Sequence, residues 1–95
     1  MEKSINYNYA FVFYDIGEER VNKVFKICKK YFKHHQKSVF RGDITPSNLL
    51  KLRSELKRVI EESEDFISII KLMSKASFDE ETIGNRKKDN EALII

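Results

Sequence analysis

The chain has no tryptophan, one proline, one cysteine and three glycines in 95 residues. A lone cysteine, Cys28, excludes an intrachain disulfide, and its place among apolar helix positions reads as packing. Scarce glycine leaves no phosphate-cradling loop, and no cysteine set has metal-binding spacing. The two histidines, His34 and His35, are neighbours. Neighbours on a strand face opposite sides, so they do not easily share one metal, and no acid is placed to orient either imidazole in a catalytic triad. No apolar run reaches the length of a membrane span. Met1-Glu2-Lys3-Ser4-Ile5-Asn6 lacks the basic-then-apolar order of a secretory signal, so a cytoplasmic protein is expected.

What is present is one domain's worth of chain with apolar content for a modest core. The net charge of +3 hides an asymmetry. From Arg20 to Val59 twelve basic residues face only Asp43 and Glu55, a net of +10. From Ile60 to Ile83 seven acids face Lys71 and Lys75, a net of −5. The split suits a polyanion-binding face opposite an acidic one, although two ordinary solvated helix faces would also produce it.

Apolar periodicity sets the elements. Tyr7 to Tyr14 reads as a strand buried on both faces. Glu18 to Phe32 reads as a helix, with Val21, Val24, Cys28 and Phe32 on its buried stripe and Lys23, Lys26, Lys30 and Lys33 on another. His34 to Thr45 is extended, as one bent strand or a hairpin of two, with Gly42 free to bend or bulge. Thr45-Pro46 opens a second helix, with Leu49, Leu52, Leu56, Val59 and Ile60 on its stripe. Glu61, Glu62 and Glu64 oppose the helix dipole, so it ends near them. Phe66 to Leu72 is a second apolar strand. The order predicts an α+β, ferredoxin-like βαββαβ sandwich over residues 1–78. Residues 79–95 are expected as a tail whose apolar end, Ala92-Leu93-Ile94-Ile95, forms an extra strand at a sheet edge, in this chain or in a partner.

Asp15 follows Tyr9-Ala10-Phe11-Val12-Phe13-Tyr14 directly. A carboxylate at the mouth of a buried strand is costly unless paired or metal-bound. One reading is that it only ends the strand or caps the helix. The other is catalysis: Mg²⁺ takes one or two carboxylates plus waters and phosphate oxygens, and a two-fold dimer can bring two copies of Asp15 together. The metal would then activate water for phosphodiester cleavage.

Tyr14-Asp15-Ile16, then Arg20-Val21-Asn22-Lys23-Val24, then Gln36-Lys37-Ser38-Val39-Phe40-Arg41-Gly42-Asp43-Ile44-Thr45 resemble the CRISPR-associated Cas-two family of small adaptation proteins. Ile83-Gly84 and the apolar C-terminus resemble that family's tail, so the likeness covers about residues 7 to 95. It implies a ferredoxin-like homodimer with crossing C-terminal strands. It also implies bridging of the Cas-one integrase, capture of duplex DNA for spacer acquisition and, in some members, metal-dependent cleavage of RNA or duplex DNA. Asp15 matches the family's metal-binding acid, and Ser38 and Phe40 match the motif beside the dimer cleft. Where many members carry an arginine, this chain has His34, which is largely neutral at pH 7. The expected nucleic-acid contacts are Arg20, Lys23, Lys26, Lys30, Lys33, His34, Lys37 and Arg41, with Mg²⁺ as cofactor.

Two other readings compete. A stand-alone, toxin-like ribonuclease would need Asp15 but no integrase. A non-catalytic RNA-binding module would stack bases on Tyr7, Tyr9, Phe11, Phe13 and Phe66.

Overall fold

A computed structural model of the protein describes residues 6–84. The elements run β1 (Tyr9–Asp15), α1 (Glu18–Tyr31), β2 (Lys33–Gln36), β3 (Val39–Asp43), α2 (Pro46–Val59) and β4 (Phe66–Leu72), followed by a 3₁₀ turn at Lys75–Ser77. Thr45 caps α2 as its sequence predicts, its Oγ1 accepting from the Asn48 N–H at 3.1 Å. Helix α2 stops at Val59, ahead of the acidic run that would oppose its dipole. Helix α1 carries Glu18 and Glu19 in its first turn and Lys29 and Lys30 in its last, both favourable to its dipole.

The sheet order is β2-β3-β1-β4 with every pairing antiparallel, the ferredoxin-like arrangement. Both helices cover one face. There Ala10, Val12 and Tyr14 of β1 and Phe40 of β3 meet Val24, Phe25 and Cys28 of α1 and Leu49, Leu52 and Leu56 of α2. Burial pushes the Cys28 thiol up to about 12, which suits an inert packing group. The extended segment is a hairpin of two strands. Its turn is built on Lys37 at φ 42, a left-handed conformation usually left to glycine or asparagine. The irregularity lies between His34 and Gln36, while Gly42 stays in the ladder opposite Ala10.

Strand alternation turns Tyr9, Phe11, Phe13 and Asp15 to the face without helices. The register sets Leu72, Ile70, Ser68 and Phe66 beside them on β4. After the 3₁₀ turn the chain doubles back, and the Phe78 ring packs on Tyr9 and Phe11 at centroid distances of 5.4 and 5.1 Å. Phe78 and Glu80 of this returning segment both touch the sheet. The expected strand at 92–95 lies outside the described residues.

Candidate active site

Asp15 closes β1 with its side chain exposed, directly across from Phe66. It does not cap α1: the cap position is Gly17, which has no side chain to offer the helix N–H groups. Among the described residues the Asp15 side chain makes no hydrogen bond or ion pair. Its role in ending the strand is therefore compatible with a free carboxylate. No group of three or more His, Cys, Asp or Glu side chains among the described residues could hold a metal ion. Asp15 is the carboxylate that one chain holds exposed at this strand end, and Mg²⁺ usually takes one or two carboxylates with waters and phosphate oxygens completing its shell.

Behind Asp15 lies a carboxylate that the sequence reading did not single out. Asp65 precedes β4, and its side chain is fully buried. It accepts from Arg20 Nε at 2.6 Å and Arg20 Nη2 at 2.9 Å, and from the backbone N–H groups of Gly17 and Glu61 at 2.9 and 2.8 Å. Arg20 also reaches Glu64 and Glu19, each at 3.1 Å. The guanidinium is committed to three carboxylates, so the geometry gives Arg20 a structural role in place of the expected phosphate contact. Arg20 holds the Asp65 carboxyl well below the usual carboxylate range, helped by the two N–H donors and opposed by burial. A folded value below the ordinary 3.8 stabilises the fold above that pH, and the gain is lost as pH falls further. The melting difference between wild type and Asp65→Asn is therefore expected to be full near neutral pH and to shrink steadily below about pH 4. Thermal melts of both proteins across that range check it, and a difference that grows on acidification would contradict it.

The other expected contacts divide. Lys23 and Lys26 stand exposed on the outer face of α1, with no acidic partner among the described residues. Lys30 pairs with Glu55 of α2, which also accepts from the Tyr31 hydroxyl. Arg41 pairs with Glu80 of the returning chain. Lys33 opens β2 across from Arg41, and His34 sits across from Phe40 in the same ladder. Lys37 and Ser38 form the hairpin turn, and the Ser38 carbonyl accepts from the Tyr14 N–H at 3.2 Å. That bond brings the turn to the same end of the sheet as Asp15. A cleft of about 800 Å³, lined in part by Lys29, Lys33, Arg41 and Lys75, opens elsewhere, and Asp15 does not line it.

Phe40 requires a correction. The Val12–Phe40 register puts its ring on the helix side, wholly buried between Tyr14 and Phe25, so it lines the core and not a dimer cleft. The stacking platform is also narrower than expected, since Tyr9 is only 4% exposed beneath Phe78.

The sequence pattern of the family described as CRISPR associated protein Cas2 matches residues 8–80. The chain is 45% identical over 80 residues to CRISPR-associated endoribonuclease Cas2 3 of Thermodesulfovibrio yellowstonii, covering 84% of this chain and 91% of the relative. It is 38% identical over 82 residues to CRISPR-associated endoribonuclease Cas2 of Thermotoga maritima, covering 86% and 94%. Among solved structures, a crystal structure of cas2 superposes with a TM-score of 0.78 at 37% identity, covering 85% of this chain and 91% of that one. A matched pattern across most of the chain, with a shared sheet order and helix layer, leaves one assignment: the protein belongs to the Cas2 family.

Proposed function

We propose that this protein is a CRISPR adaptation subunit that acts as a homodimer, holds short nucleic-acid duplexes and cleaves phosphodiester bonds with Mg²⁺ at paired Asp15 carboxylates. The observation that carries the reading is an exposed, uncommitted Asp15 on an apolar sheet face that no helix covers. On that face Phe66 is 59% and Ile70 47% exposed, apolar surface that a second copy of the chain would cover. An isologous contact through it would place residues near the axis beside their own copies. Two Asp15 carboxylates could then hold Mg²⁺, which would neutralise charge on a phosphate and make an attacking water more acidic. The chain's own part is to hold the two acids and keep the duplex against them. The relatives are named endoribonucleases, which favours RNA as a substrate. The charge distribution favours backbone contact with any duplex, and the resemblance to adaptation proteins makes the Cas-one integrase the expected partner. The stacking-module reading is weakened by the Phe78 cover on Tyr9 and Phe11.

Incubating the protein with labelled short RNA and duplex DNA, with Mg²⁺ or with chelator, tests cleavage directly. Cleavage only with Mg²⁺ supports the reading, and equal cleavage in chelator contradicts it. Duplex binding should weaken with salt at a slope near −0.9 per phosphate neutralised. Lys23→Ala with Lys26→Ala is expected to flatten that slope by about one to two, whereas Lys30→Ala, already paired with Glu55, should change it less. Binding titrations at several salt concentrations read this out.

A further inference from the structure

Among the described residues no side chain or backbone group bonds to the Asp15 carboxylate, yet Asp15 stands only two residues before Gly17, and Gly17 is held from both sides. Its N–H donates to Asp65 Oδ1 at 2.9 Å, and its carbonyl accepts from the Arg20 and Val21 N–H groups at 2.9 and 3.0 Å. A Cβ on Gly17 would lie 2.7 Å from Arg20 Nη2, so the absence of a side chain lets the guanidinium close over the loop. The end of an arginine would normally swing away. This one is pinned by two bonds to a buried carboxylate. The same carboxylate holds the Glu61 N–H, so the turn leaving β1 and the turn entering β4 are tied to one group. Those strands are the ones paired at Asp15 and Phe66.

We infer that Asp65, through Arg20 and Gly17, is a positioning residue that fixes the β1–α1 turn and thereby the Asp15 carboxylate from which metal-dependent cleavage proceeds. The inference rests on the nuclease reading above. A carboxylate that must meet a metal gains most from a rigid approach, because misplacement by an ångström can lower a rate by about a hundredfold. Asp65 touches neither substrate nor metal. Its effect passes through the backbone.

The test compares wild type, Asp65→Asn, Arg20→Lys and Gly17→Ala in the dimeric form of each, at a temperature where melts show all four folded. Three quantities are read: the Mg²⁺ concentration for half-maximal cleavage, the split of kcat against KM for a labelled duplex, and amide hydrogen exchange at Gly17. The expected result for Asp65→Asn is faster Gly17 exchange, a half-maximal Mg²⁺ concentration raised about tenfold or more, lower kcat and unchanged KM. Arg20→Lys keeps the charge but not the two-pronged contact and should fall between. Gly17→Ala keeps every charge and should still raise the Mg²⁺ requirement. If wild type cleaves, Asp15→Ala does not, and Asp65→Asn keeps the wild-type Mg²⁺ requirement and kcat, the positioning role is overturned and the nuclease reading stands. If wild type fails to cleave while Gly17 exchange still responds to Asp65→Asn, the nuclease reading fails, and the catalytic meaning of the clamp fails with it.

Discussion

Asp15→Ala is expected to lower Mg²⁺-dependent cleavage by on the order of a thousandfold while leaving the melting midpoint within about 3 °C of wild type. In a homodimer one substitution removes both carboxylates, so the cation loses the protein ligands it would have. Stability should hardly respond, because the Asp15 side chain is exposed and makes no bond among the described residues. In the proposed dimer two facing carboxylates would repel without metal, so in chelator the variant dimer should be as stable as wild type or slightly more so. Asp15→Asn keeps the shape and removes the charge, and it should be nearly as inactive. Cleavage assays on RNA and duplex DNA, with melts in Mg²⁺ and in chelator, give both halves of the result. Residual cleavage near the wild-type rate would remove Asp15 from the chemistry.

The second large effect falls on the fold. Phe40 is fully buried, with ring centroids 6.2 Å from Tyr14 and 5.4 Å from Phe25. Phe40→Ala is expected to reduce unfolding free energy by about 3–5 kcal/mol, the usual range for emptying a core phenylalanine site. Domains of this kind hold only about 5–15 kcal/mol in total, so the variant would be close to unfolding at warm temperatures. Urea unfolding with an unchanged slope checks this. A loss below about 1 kcal/mol would mean that the ring does not belong to the core. A residue serving only the dimer would instead shift the monomer–dimer balance and leave the unfolding of a dilute monomer unchanged.

The residues that announced themselves in the sequence did so through local rules. Thr45-Pro46 marks a helix start because its cap and first turn are made within four residues. The aromatics of β1 and the stripes of α1 and α2 follow from period alone. The hairpin stayed ambiguous because its turn is Lys37-Ser38 and lacks the usual Asn-Gly or Asp-Gly signal. Phe40 was assigned to the wrong surface because only the pairing of β3 with β1 decides which way an extended residue faces. Asp65 was invisible as a partner for Arg20 because 45 residues separate them and only the sheet order brings them together. One weak signal existed: Asp65 is an acid at the edge of an apolar strand, just before Phe66, as Asp15 is an acid just after Tyr14. Lys30 and Arg41 looked like free cations for the same reason, since Glu55 and Glu80 reach them only in the folded chain.

The place of β1 between β3 and β4 also bears on how the chain is made. The aromatic strand β1 is made before either of its neighbours, which follow only at Val39–Asp43 and Phe66–Leu72. Among the described strands, only β2 and β3 are neighbours both in the chain and in the sheet. Strand β1 therefore lacks its β3 partner until Asp43 is made and its β4 partner until Leu72 is made, and pairings so far apart in sequence form slowly. The lysine-rich helix that follows this strand keeps positive charge beside it throughout that interval, and like charge disfavours association between unfinished chains.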